Sequence, residues 1–220
     1  MDGLLSAVAY IKIFVAMIVI VNPLGIMPVF VAMTTYTSDD ERKKIARIAA
    51  VSVMVVLLVS ATLGERVLDM FGISIPSFKV GGAILVMMAA LSMMQATPGR
   101  DKQTPEEAKE AEDKASIAVV PLAIPLLAGP GAMSTIIIYA SEKKSFAHLA
   151  IVCLLSIGVA VVTWLALRVA AKVGARLSKT TINVATRIMG LLLAALAVEI
   201  FAGGIVELIP ALGKPDVFRY

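Results

Sequence analysis

Cysteine and histidine are almost missing from this chain: Cys153 and His148 are the only examples among 220 residues. One thiol forms no intramolecular disulfide, and one imidazole beside it does not make a zinc-type ligand set. Charge is also scarce, at 16% of residues, and aromatics reach only 5% with a single tryptophan. A soluble domain carries about 25% charged residues, so water is not the main solvent of this surface. The net charge of +4 does not argue for nucleic acid, because the basic residues sit in short stretches between apolar runs, where membrane topology accounts for them.

What the chain holds instead is apolar: 59% of residues are hydrophobic and the mean hydropathy is +0.92. Six runs almost free of charge, Ile13 to Ser38, Ile48 to Gly64, Val80 to Thr97, Ala115 to Ser141, Leu149 to Leu167 and Ile188 to Val206, each suit a membrane-spanning helix of about 17 to 25 residues. The first run lacks the short apolar core and small-residue cleavage pattern of a secretory signal and is expected to be a retained span. Asp39 to Lys44, Glu65 to Asp69, Glu142 to Lys144 and the basic Arg168 to Lys179 are expected to be connections. The polar stretch 98–114 is expected to be a cytoplasmic linker between a first three-helix unit, 1–97, and a second, 115–208, followed by a tail, 209–220. Thirteen of the twenty Lys and Arg, including Arg42, Lys43, Lys44, Arg47, Arg168 and Lys172, fall on one side of this scheme. The positive-inside tendency makes that side cytoplasmic and puts both termini outside the cell membrane.

The halves resemble each other. Asn22-Pro23-Leu24-Gly25 in run one is echoed by Gly129-Pro130-Gly131-Ala132 in run four, and Phe78 to Leu85 is echoed by Thr186 to Leu193 at nearly the same offset. A unit of three spans is odd, so its second copy enters from the opposite side: an inverted repeat of the kind found in transporters. Runs one and four are also long. As straight helices they would extend roughly 40 Å, against an apolar core of ~30 Å, and each has a proline beside glycine near its middle. Proline removes an amide donor and blocks the carbonyl four residues back, which predicts a helix break at each site.

An open backbone in lipid costs several kcal/mol per group unless protein, water or ligand satisfies it, so the breaks are expected to face a cavity. Half-helix starts at Gly25 and Ile26, and at Gly131 and Ala132, offer amides to a carboxylate. Half-helix ends at Val21, Asn22, Ala128 and Gly129 offer carbonyls to an ammonium or a cation. Pro23, Leu24 and Pro130 complete the two expected binding segments. Bare backbone at Gly25, Gly129 and Gly131 favours small ligands, and Gly25→Leu or Gly131→Leu is expected to abolish binding with the fold intact. Asn22 either lines this site or caps the second half-helix, and Ser134 and Thr135 either bind substrate or return bonds to carbonyls. Glu199, an acid inside an apolar run, either carries a coupling proton or is solvated near the interface. Lys79 and Arg187 are expected to be interfacial anchors, and Gly81, Gly82 and Gly190 to allow close helix packing.

On three motifs in order, Asn22 to Phe30, Pro121 to Ala132 and Asn183 to Leu192, the chain resembles the MarC family of bacterial and archaeal membrane proteins over essentially its whole length. The resemblance implies six spans with discontinuous first and fourth helices. Its small neutral amino acid transporter branch, SnatA, implies uptake of glycine and alanine coupled to a cation gradient.

The expectation is therefore an all-helical membrane protein of two inverted three-helix repeats, a secondary transporter of small neutral amino acids with no cofactor, coupled to H⁺ or Na⁺. Its expected partners are membrane lipid and that solute, with homo-oligomerisation open. Gly129 to Gly131 lacks the Lys and Ser/Thr of a P-loop, so nucleotide hydrolysis is not the expected energy source. A channel for water or small neutral solutes and an exporter of other metabolites or drugs are the other readings. An enzyme is not expected, because His148 and Cys153 come with no orienting acid.

Overall fold

The computed structural model describes residues 4–34, 37–95, 128–173 and 179–210. Its regular elements there are helices α1 (Ala7–Val21), α2 (Pro23–Met33), α3 (Asp39–Met70), α4 (Ile75–Met94), α5 (Pro130–Ser141), α6 (Phe146–Val173) and α7 (Lys179–Leu208). Five stretches are long and apolar enough to cross a membrane among the described residues: Ala7–Met27, Asp39–Met70, Ile75–Met94, Phe146–Lys172 and Asn183–Leu208. Of the fourth apolar run only the part from Ala128 onward is described. The rest of that run, the stretch 98–114 and the tail beyond 210 lie outside the described residues.

The helices run further than their apolar cores. Ser38 caps α3 by accepting the Glu41 amide at 3.3 Å, and the Glu41 carboxylate accepts the Ser38 amide at 3.0 Å. Asp39, Asp40 and Glu41 fill the first turn, where acids oppose the positive end of the helix dipole. Asp39 to Lys44 is therefore helix and not a connection. Glu65 to Asp69 is likewise the last part of α3, which ends at Met70 before a turn with Gly72 at φ 67°. Arg168 and Lys172 belong to α6. Hydropathy marks where lipid ends, whereas Glu, Lys and Arg are good helix formers that carry a helix onward until a cap stops it. The 32 residues of α3 extend roughly 48 Å at about 1.5 Å per residue, beyond the ~30 Å apolar core.

Packing directions follow from the glycines. A side-chain carbon added at Gly190 would stand 2.9 Å from the Ala90 carbonyl oxygen, and one at Gly204 would stand 2.9 Å from Lys79 Cβ. As α7 advances α4 recedes, so the two are antiparallel. Gly82 makes the same close approach to Ser134 of α5, with 2.8 Å to its Cβ, whereas nothing lies within 4 Å of such a carbon at Gly81. Gly82 and Gly190 thus serve close packing and Gly81 does not. Each short helix leans on the other half of the chain: α5 packs on α3 and α4, and α2 packs on α6 and α7. Arg42 joins two of these elements, donating to the Thr34 carbonyl at 2.8 Å and to the Ala171 carbonyl at 3.2 Å. Met17, Phe30, Leu57, Ile136 and Leu193, from five different helices, form one buried core.

Candidate functional site

The first break is built from three adjacent residues. Asn22 closes α1 with its amide on the Ile18 carbonyl at 2.9 Å, then turns left-handed at φ 47°, the only non-glycine residue with positive φ among those described. Asparagine tolerates that region better than most residues. Pro23 follows as the first residue of α2, a position where its fixed φ fits and its missing amide costs nothing. The same proline leaves the Val19 carbonyl without the amide that a continuous helix would supply. The Gly25 amide, which a continuous helix would send to Val21, donates instead to Asn22 Oδ1 at 3.1 Å.

Gly25 owes its missing side chain to this cap. A carbon there would overlap Asn22 Nδ2 and stand 2.8 Å from Asn22 Cγ, and its three nearest atoms all belong to that side chain. The space foreseen for a ligand at Gly25 is filled by Asn22, and the amide foreseen for a carboxylate is engaged. Gly25→Leu therefore disrupts the cap, so the expectation that it spares the local fold is corrected. Val21, Pro23, Gly25 and Ile26 are buried, Asn22 is half-buried and Leu24 is exposed.

At the second proline, Gly129 is extended (φ −65°, ψ 177°) and caps α5 without a side chain. Its carbonyl accepts the amides of Ala132 and Met133 at 2.9 and 3.1 Å. Ser134 and Thr135 both donate to the Gly131 carbonyl, at 3.0 and 2.8 Å, so their hydroxyls serve the helix itself. Ala128, Gly129, Ala132, Ser134 and Thr135 are buried, Gly131 is half-buried and Pro130 is exposed.

Helix α4 brings the two sites together. Asn22 Nδ2 points at Met93 Sδ, 3.7 Å away, and the nearest neighbour of a carbon at Gly131 would be Val86 Cγ2 at 3.5 Å. Val86 and Met93 are buried and two helical turns apart, hence on one helix face roughly 10 Å from each other. The two proline motifs, one from each half of the sequence, thus flank a single face of α4.

A cavity of about 630 Å³ opens beside them, between α1 and α7, with the end of α5 as a wall. Along α1 it runs from Ala9 to Val19, about 15 Å, and so ends one turn short of Asn22. Its charged lining comprises Lys12, Lys79, Glu142 and Glu199, two cations and two acids. Glu199 thus lines this cavity. Lys79, expected to be an anchor, also pairs with Glu207 at 2.5 Å. Sequence reasoning missed Glu142, because an acid just past the end of an apolar run looks like any loop residue. The residue is exposed at the rim, yet its carboxyl is partly shielded from water. That partial burial outweighs the attraction of Lys79 and holds its pKa above the ordinary carboxylate value.

His148 braces the same wall and is fully buried. Nε2 lies 2.8 Å from the Tyr139 carbonyl and Nδ1 lies 2.8 Å from the Tyr10 hydroxyl. A carbonyl only accepts, so Nε2 carries a proton, and with the imidazole neutral Tyr10 donates to Nδ1. Cys153, on the same helix, is half-buried. Among the described residues no group of three or more His, Cys, Asp or Glu side chains could hold a metal ion.

Membrane-length apolar helices around one buried core define a multi-pass α-helical integral membrane protein. The chain belongs to the MarC family of integral membrane proteins, whose profile matches residues 7–209. It is 42% identical over 203 residues to the UPF0056 membrane protein YhcE of Escherichia coli, covering 92% of this chain and 94% of that one. It is 37% identical over 199 residues to the UPF0056 membrane protein MJ0972 of Methanocaldococcus jannaschii, covering 90% and 87%. To the UPF0056 membrane protein YvbG of Bacillus subtilis it is 32% identical over 203 residues, covering 92% and 96%. No solved structure matches it significantly.

Proposed function

We propose that this protein is a secondary active transporter of small neutral amino acids, glycine and alanine, driven by an H⁺ or Na⁺ gradient across the cell membrane. It would work as two inverted three-helix repeats with discontinuous first and fourth helices and both termini outside. The observation that carries the reading is the cavity that descends to within one turn of the Asn22 break, beside the α4 face on which both proline motifs converge. Two cations and two acids along that path suit a zwitterion better than an ion of either sign. At about 630 Å³ the cavity is a vestibule, far larger than one small amino acid. The antiparallel packing of α4 on α7, the helices that carry the second echo, supports the inverted repeat, since a two-fold axis in the membrane plane requires it.

Glu199 and Glu142, which both line the vestibule, would exchange a coupling proton with the outer solution. The test is counterflow of labelled glycine in proteoliposomes. Saturable uptake, accelerated by unlabelled glycine inside and by an imposed H⁺ or Na⁺ gradient, is the expected result. Unsaturated flux would make the protein a channel, and gradient-driven movement of other metabolites with none of glycine would make it an exporter of different cargo.

A further inference from the structure

A second, smaller groove shares no lining residue with the vestibule. It is about 170 Å³ in volume and follows the seam of α3 and α6, between Arg47, Ala50 and Val51 on one helix and Ala160, Val161 and Trp164 on the other. We propose that this seam binds an anionic phospholipid, with the headgroup phosphate held by Arg47 and Arg168 and an acyl chain laid in the trough below.

The trough exists because its floor is small. Ala50 and Ala160 are 4% and 5% exposed, while Val51 and Val161 stand out as its walls at 46% and 48%. Further along the same helices Val55, Val59 and Leu154 are exposed, a surface only a hydrocarbon solvent tolerates. At the other end the chemistry changes within one turn. Trp164 closes the groove opposite Arg47, and the Arg168 guanidinium lies over the indole ring, 4.9 Å from the centroid. Tryptophan prefers the headgroup level of a bilayer, and a guanidinium clasps a phosphate with two parallel hydrogen bonds.

The local charge is mainly positive. Helix α6 carries no Asp or Glu, and the acids of α3 at this end all stand in its first turn: Asp39, Asp40 paired with Lys43 at 2.8 Å, and Glu41 bound in the Ser38 cap. Lys44 and Lys172 add positive charge nearby. Basic pockets between spanning helices on the positive side of a membrane protein suit acidic lipid headgroups. This inference is independent of what the protein transports.

The test uses the purified full chain in a neutral detergent, titrated with phosphatidylglycerol, phosphatidylcholine or inorganic phosphate, with bound lipid counted by native mass spectrometry and melting followed in parallel. Phosphatidylglycerol is expected to stay bound and raise the melting temperature, with little effect from phosphatidylcholine or inorganic phosphate. Arg47→Gln with Arg168→Gln is expected to weaken phosphatidylglycerol binding by about tenfold or more, through the loss of two charge-assisted contacts. Lys143→Gln, which removes a charge elsewhere, is expected to leave it unchanged. If the glutamine pair folds poorly, Arg47→Lys with Arg168→Lys keeps the charge, and a severalfold loss is then expected from the lost two-pronged geometry. Undiminished binding in either pair, an equal loss in Lys143→Gln, or equal stabilisation by inorganic phosphate would overturn the proposal.

Discussion

The left-handed turn at Asn22 is held by a cap that leaves no room for a side chain at residue 25, and a double-mutant cycle isolates that dependence. In Gly25→Ala the new carbon overlaps Asn22 Nδ2 and meets Cγ at 2.8 Å, so the Asn22 side chain must swing out. The Gly25 amide loses its acceptor in a buried position, which costs about 1–3 kcal/mol. Better helix propensity returns up to ~1 kcal/mol. A net loss of about 1–2 kcal/mol is expected. Asn22→Gly keeps the left-handed backbone but orphans the same Gly25 amide, so it should cost about 1–3 kcal/mol as well, whereas Asn22→Ala adds a left-handed penalty of about 1–2 kcal/mol.

The combination Asn22→Gly with Gly25→Ala is the decisive one. With the Asn22 side chain gone, the carbon at residue 25 has lost all three of its nearest neighbours, so the alanine should be neutral or stabilising by up to ~1 kcal/mol. The interaction energy of the cycle is then about 2 kcal/mol, well above the few tenths expected for independent sites. Unfolding in mixed micelles, by denaturant and by heat, reads all four corners. A Gly25→Ala cost that is the same in both backgrounds would refute this account of the break.

Three further outcomes follow from the same geometry. Gly64→Ala should cost about 1–3 kcal/mol, because its carbon would overlap Ile137 Cγ1 and stand 2.6 Å from Cδ1, whereas Gly131→Ala, whose nearest neighbour stands at 3.5 Å, should fold normally and lose glycine counterflow; equal melting of the two variants would contradict the packing. Tyr10→Phe should destabilise by about 1–3 kcal/mol through the orphaned His148 Nδ1, and an unchanged melting temperature would remove that brace from the wall. Because the raised pKa of Glu142 makes the folded protein hold a proton that the unfolded chain has released above its ordinary value of 4.5, stability should fall as pH rises through that window, and Glu142→Gln should flatten this part of the profile; an identical slope in a melting series would argue against it.

Much of the architecture is legible in hydropathy and punctuation. Proline beside a small polar residue in an apolar run marks a break because its chemistry is local: no amide, a fixed φ, and an asparagine able to turn left-handed. Helix ends are less legible. Asp39 to Lys44 and Glu65 to Asp69 look like loops on polarity alone, yet the Ser38 and Glu41 capping box starts α3 before the first group, and helix-forming residues carry it through the second. Glu199 stands out in sequence as an acid inside an apolar run, but its meeting with Glu142 is illegible for another reason. Glu142 and Glu199 are far apart in sequence, and only the packing of α5 and α7 against α4 brings both to the lining of one cavity. The use of Gly25 was hidden too, since a glycine spared for a ligand and one spared for a neighbouring asparagine look alike in sequence.

Cross-packing bears on how such a protein could move. If α2 rested on the helices of its own half, the Asn22 break could open without disturbing the second proline motif. Instead α2 rests on α6 and α7 while α5 rests on α3 and α4, so each short helix is seated on the opposite half. The contacts that the two motifs make with α3 and α4 differ in rigidity. At Gly64 of α3 and Gly82 of α4 a side-chain carbon would run into Ile137 and Ser134 of α5, an interlock that resists sliding. The Asn22 break touches α4 through the soft Met93 sulfur at 3.7 Å, a contact that a flexible thioether can remake in several positions. In the proposed carrier, motion that exposes the vestibule floor would then be easier at α1 and α2 than at α5. A disulfide or crosslink tying α2 to α6 should arrest counterflow, whereas one tying α5 to α3 should leave it running.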